Sequence, residues 1–129
     1  MNIRPYNNSD YAKVGSWWVV QTGEVPSYDV YNEKWSWIAE NEHGLIACAS
    51  LILTNSPEVA HFDGIIGNPE AANRKEYVQM FLNELENKAK EAGYKKIYTM
   101  AENNKMKKYY QDKKFNVIKD GLCLLGKDL

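Results

Sequence analysis

His61 and Asp63 stand two residues apart in the otherwise largely apolar run Val59 to Ile66. Side chains alternate across a strand, so the two share one face. A titratable pair on one face of such a strand is unusual, although a His or Asp on a strand is often structural. Downstream, Arg74 and Lys75 open a long helical stretch. They are suited to pair with phosphate oxygens, or else are two solvated charges in a loop. Lys105, Lys107, Lys108, Lys113 and Lys114 form a basic run. It reads as a solvated helix face, or as a site for a ribose phosphate or an acidic partner. Cys48 and Cys123 lie in apolar, strand-like runs with no CxxC or metal-ligand partner nearby, so no metal site is expected. Two buried free thiols in a reducing compartment is the expectation.

The elements that must position these residues lie close together along the chain. The chain has 129 residues, 44% hydrophobic and 26% charged, which suits one globular domain over 1–129 rather than disorder. A formal charge of −1 argues against a dedicated nucleic-acid binder. No apolar segment succeeds the N-terminus as in a signal peptide, and Leu45 to Leu53 is too short to span a bilayer. A cytoplasmic protein without a membrane partner is expected.

Ile3 to Tyr6 is expected as a first strand, and Ser9 and Asp10 as N-caps of a helix reaching Gln21. Gly23 to Asn32 is ambiguous, with room for a short second helix. Trp35 to Glu40 and Leu45 to Thr54 read as strands around the turn Asn41-Glu42-His43-Gly44. Val59 to Ile66 is the next strand, with Gly64 marking a bulge or a close backbone approach. Val78, Phe81, Leu82, Leu85, Ala89 and Ala92 make the apolar stripe of a long helix that ends at Gly93. Lys96 to Met100 reads as a strand and Asn103 to Lys113 as a helix. Phe115 to Ile118 and Leu122 to Leu125 are expected as a last strand pair. A helix joins neighbouring strands, so the fold class is α/β (α+β), with a mixed sheet flanked by helices. Trp17, Trp18, Trp35 and Trp37 with Tyr28 and Tyr31 enrich the N-terminal half in aromatic residues. Trp17 and Trp18 are adjacent, so one of them is expected to face a groove or a partner.

This order, with Ile3-Arg4-Pro5 at the start and Asn103, Met106, Tyr109-Tyr110 and Phe115 near the end, resembles the GNAT superfamily of acyl-coenzyme A N-acyltransferases. The resemblance covers essentially the whole chain and implies acetyl-CoA as co-substrate and an amine, small-molecule or peptide, as acceptor. It implies a base for that amine, for which His61 and Asp63 are candidates, and assigns Tyr110 to protonation of the departing thiolate, a role that an ordinary pKa near 10 suits. Half-buried packing on an amphipathic helix is the alternative for Tyr110. Ile65, Ile66 and Gly67 fall where the family's bulged strand offers backbone N–H groups to the thioester carbonyl and pantetheine. Asn103 falls on a pantetheine-binding position, or is an N-cap. The family's pyrophosphate loop, Q/R-x-x-G-x-G/A, aligns with Asn73 to Val78, so Asn73, Arg74 and Lys75 are the coenzyme-binding candidates there.

Glu76 and Val78 stand where small residues are expected. With Asn73 as N-cap, Glu76 would complete a capping box, which closes a helix end without phosphate. A GNAT-fold protein that has lost catalysis and binds a protein or another small ligand is therefore the alternative to an N-acetyltransferase. The family often dimerises through its C-terminal strands, so a homodimer is a further expectation.

Overall fold

In the computed structural model, residues 1–26, 30–56, 58–101, 103–123 and 125–129 are described. They fall into two units, Met1–Thr99 and Met100–Leu129.

The first unit is built on a five-stranded sheet in the order β1-β2-β3-β4-β5. These strands are Asn2–Pro5, Ser36–Asn41, Gly44–Leu53, Val59–Gly67 and Lys96–Tyr98. The first four pair antiparallel in sequence. The fifth pairs parallel with β4, because α2 (Arg74–Glu91) carries the chain back between them. The sheet is thus mixed, as the pattern requires. β3 is buried along most of its length because helices cover both its faces. On one side, Val14 and Trp17 of α1 (Tyr11–Thr22) pack with Tyr6, Tyr31, Ile38, Cys48 and Ile66. On the other, Phe81, Leu82, Leu85 and Ala89 of α2 are buried at the expected helical spacing. α2 ends with Gly93 at φ 92°, where the N–H groups of Gly93 and Tyr94 close on Lys90 and Ala89.

Several expectations are corrected. Asn7 caps the 3-10 turn Asn8–Asp10 that leads into α1, and of the two expected caps only Asp10 stands at the N-cap position of α1. Asp10 makes no side-chain cap to α1. Its carboxylate instead receives both terminal nitrogens of Arg4 at 2.8 Å and the Asn7 N–H at 2.9 Å. The charged pair outcompetes a neutral cap. Trp17 is buried, and Trp18 lies half-buried against the same core, its indole N–H on Tyr31. The stretch 23–32, where a short helix was considered, includes residues 27–29, which lie outside the described residues, Tyr28 among them.

The second unit carries α3 (Asn104–Asp112). Tyr110 is buried, with the rings of Tyr109 and Phe115 each 5.4 Å away. Lys107 bonds Asp120 at 2.7 Å, and Lys113 lies over Tyr109. These two lysines of the basic run are thereby engaged within the unit. The expected final strand pair is absent among the described residues. Val117, Ile118, Leu122 and Leu125 are exposed, and short segments that bury so little do not hold a ladder in water. Leu124 lies outside the described residues. Cys48 is buried as expected, but Cys123 is exposed, as is Leu122 beside it. Among the described residues no helix is long and apolar enough to cross a membrane.

Candidate active site

The decisive local feature is the break in register between β3 and β4. Ser50 pairs with Asp63 and Cys48 with Ile66, so Ala49 alone faces both Gly64 and Ile65. This is a β-bulge, and Gly64 enters it at φ 59°, a conformation that favours glycine. A Cβ on Gly64 would lie 3.0 Å from the ring of Tyr31. The Tyr31 hydroxyl donates to the Gly64 carbonyl at 2.5 Å, and the Trp18 indole N–H donates to the Tyr31 oxygen at 2.9 Å.

The bulge resets which backbone groups face outward. Asn68 donates its N–H to Ile46 at 2.7 Å, so the alternation along the ladder turns Ile66 toward β3. Gly67 consequently turns to the other edge. The Gly67 carbonyl receives a bond of 2.7 Å from Gln21 of α1 rather than from β3. That other edge is open. β5 pairs with β4 only at Val59, Ala60 and His61, and Thr99 then reaches the Phe62 carbonyl at 3.3 Å. Among the described residues no strand lies beside β4 beyond this point. Of the three backbone positions anticipated on β4, Gly67 turns to the open edge by this alternation, and Ile65 stands in the bulge beside it. Ile66 does not turn there, and its side chain is buried in the core.

His61 and Asp63 do share a face, opposite Ile52 and Ser50 respectively. His61 is half-buried with its ring edge-on to Tyr98, the centroids 5.9 Å apart. Asp63 is exposed, and its carboxylate accepts the Gly64 N–H at 2.8 Å.

Gly67 brings the end of β4 against the start of α2. A Cβ there would lie 3.1 Å from Val78 and 3.2 Å from Arg74. Val78 thus packs on the strand end. The capping box expected of Asn73 and Glu76 does not form. Asn73 adopts a left-handed conformation, φ 54°, and its side chain accepts no bond from the helix. A capping side chain works from an extended backbone, which Asn73 lacks. The first backbone bond of the helix runs from Tyr77 to Asn73. The N–H groups of Arg74, Lys75 and Glu76 therefore have no partner among the described residues, at an exposed helix N-terminus that favours anions. The Glu76 carboxylate at the same end opposes that preference.

In the second unit Asn103 caps α3, its side-chain oxygen accepting the Met106 N–H at 2.9 Å. No group of His, Cys, Asp or Glu suited to a metal occurs among the described residues. A shallow depression lined by Met1, Ile3, Met80, Asn83 and Glu84 lies by β1, at the opposite edge of the sheet from β5. It gathers none of the residues above.

The acetyltransferase (GNAT) family model matches residues 6–115. The chain belongs to the GNAT acetyltransferase family. This GNAT chain has no match in sequence among curated proteins. Its fold is shared with solved structures at low identity. The Trypanosoma brucei acetyltransferase is 16% identical, with a TM-score of 0.68 over 99% of each chain. The predicted acetyltransferase with acetyl-CoA from Clostridium acetobutylicum is 20% identical, with a TM-score of 0.66 over 96% of this chain and 95% of that one. N-acetylglutamate synthase from Neisseria gonorrhoeae, complexed with coenzyme A and N-acetyl-glutamate, is 16% identical with a TM-score of 0.69. That match covers 87% of this chain and only 27% of the synthase, so the GNAT chain spans about a quarter of that protein.

In this GNAT chain the first unit carries His61 and Asp63 along β4, Ile65 and Gly67 toward its end, and Arg74 and Lys75 at the start of α2. Tyr110 and Asn103 belong to the second unit. Tyr31, Trp18 and Gln21 carry no sequence signal for this role. Gly64 marked the bulge, but nothing in the spacing of a tyrosine 33 residues upstream showed that it would meet that glycine.

Proposed function

We propose that the chain is an acetyl-CoA-dependent N-acetyltransferase in which a primary amine attacks the thioester directly. The observation that carries this reading is the junction at Gly67. There an open strand edge, with Gly67 turned outward, meets a helix N-terminus whose first three N–H groups are unpartnered among the described residues. An acyl-coenzyme A presents a carbonyl and a pyrophosphate, and these two sets of donors match them. The fit is incomplete at Glu76, whose carboxylate faces the same anion that the amides would hold.

Bound acetyl-CoA supplies an activated acetyl group and a thiolate leaving group. The N–H groups of Ile65 and Gly67 hold the carbonyl and pantetheine, and become more valuable as charge grows on the acyl oxygen. Arg74 and Lys75, with the amides of Arg74 to Glu76, take the pyrophosphate, and Arg74 offers a bidentate contact. His61 or Asp63 accepts the proton that the amine must lose, and Tyr110 returns one to the sulfur. Asn103, whose amide nitrogen has no partner among the described residues, offers it to the pantetheine arm while its oxygen caps α3. The family match runs through both units, which supports one acyltransferase domain over 1–129. We place the reaction in the cytoplasm, in keeping with two free cysteines.

The test is thiol release from acetyl-CoA with a panel of primary amines: polyamine, aminoglycoside, amino acid and lysine peptide. Amine-dependent release is expected. No release for any amine, together with little or no coenzyme binding, would favour the second reading, a GNAT-fold binding protein. The exposed carboxylate of Glu76 is what favours that reading. It predicts that Glu76→Gly with Val78→Gly gains coenzyme affinity over a wild type that has little.

A further inference from the structure

The bulge of β4 is held from one side by two residues spaced to share a face of α1. Trp18 and Gln21 are three apart, so they project together. Gln21 bonds the Gly67 carbonyl directly, and Trp18 acts on the Gly64 carbonyl through Tyr31. The Gly64 carbonyl and the Ile65 N–H belong to one planar trans peptide and point in opposite directions. Whatever fixes the first therefore aims the second.

The direction of the relay is set by donor and acceptor chemistry. An indole N–H only donates. Trp18 thus occupies a lone pair of the Tyr31 oxygen, and the phenol proton is left for Gly64. Tyr31 is 3% exposed, and burial raises its pKa from the ordinary value, so the proton stays in place. Each bond polarises the next, which makes the Ile65 N–H a stronger donor than an unassisted amide.

We propose that Trp18 and Tyr31 form a hydrogen-bond relay that aims and polarises the Gly64–Ile65 peptide, so that Tyr31 is a positioning residue for the Ile65 N–H. Its catalytic half rests on the acetyltransferase reading, where that N–H faces the acyl oxygen. Its structural half does not.

Tyr31→Phe keeps the ring and removes the relay. In the protein without coenzyme, the Ile65 amide resonance is expected to move upfield and its hydrogen exchange to quicken, while Ile38 in the core stays unchanged. In turnover, kcat is expected to fall about ten- to a hundredfold with KM for acetyl-CoA within about twofold. If Tyr31→Phe does not fold, Trp18→Phe leaves the phenol in place and should move the Ile65 resonance less, in the same sense. An Ile65 amide unchanged in position and exchange overturns the relay. A changed amide with kcat unaltered removes Tyr31 from the reaction. A wild type that never turns over acetyl-CoA refutes the acetyltransferase reading, while the amide measurement still decides the relay.

Discussion

Gly64 tolerates no side chain, for two separate reasons. Its φ of 59° costs an L-residue roughly 1–2 kcal/mol, and a Cβ would press on Tyr31 at 3.0 Å. Gly64→Ala is expected to lose about 2–3 kcal/mol, read as a lowered midpoint in urea. A loss below about 0.5 kcal/mol would mean that the bulge shifts freely. At Asp10 the paired Arg4 guanidinium, aided by the Asn7 N–H, holds the carboxyl below the usual carboxylate range. A depressed folded pKa stabilises above the unfolded value of about 3.9, and that contribution is lost as pH falls through the folded value. Asp10→Asn should therefore cost about 1–3 kcal/mol at pH 7 and flatten the acid side of the stability profile below pH 4. An acid limb identical to wild type would contradict this. Tyr110→Phe is expected to lower kcat at least about tenfold with coenzyme affinity unchanged, measured by thiol release and calorimetry. At this scale the sequence disclosed the consequences of strand alternation, such as the shared face of His61 and Asp63. It did not disclose Tyr31 on Gly64 or Arg4 on Asp10, because both need the chain to be folded before the partners meet.

α2 shows why an element's end is harder to read than its middle. The buried stripe at Phe81, Leu82, Leu85 and Ala89 is dictated by spacing alone. Spacing also suggests the capping box at Asn73 and Glu76, yet one backbone angle at Asn73 abolishes it. Two outcomes are thereby separated. If Asn73 capped the helix, Asn73→Gly would lose little and Asn73→Ala about 1 kcal/mol through the lost bond. With Asn73 left-handed and uncapping, Asn73→Ala suffers through its φ instead, and Asn73→Ser, a good cap, is expected to bring no gain in thermal midpoint. A clear gain from Asn73→Ser would contradict the left-handed backbone. Gly64 announced its bulge because glycine in a strand has few other uses. The expectation of final strands rested on β-branched and apolar content, which reports burial that Val117, Ile118 and Leu122 do not have. The C-terminal strands through which a homodimer was anticipated are accordingly not formed among the described residues.

For the whole molecule, the order of elements carried most of the information. Turn signals and periodicity implied a mixed sheet with a helix between neighbouring strands; the structure resolves it into four strands in antiparallel sequence and a parallel fifth, and the family match covers residues 6–115. What the order leaves open is whether a loop that has Glu76 and Val78 in place of small residues still holds a pyrophosphate. A titration of the intact chain with acetyl-CoA, monitored by thermal midpoint and calorimetry, addresses this most directly. At about 100 times Kd, a ligand that binds only the folded state adds roughly 2.7 kcal/mol, or about 10 °C for a chain of this size. The account predicts such a rise, diminished when Arg74 and Lys75 are both replaced by Ala. No rise at millimolar acetyl-CoA would contradict the account, and would leave the open edge of β4 to some other ligand.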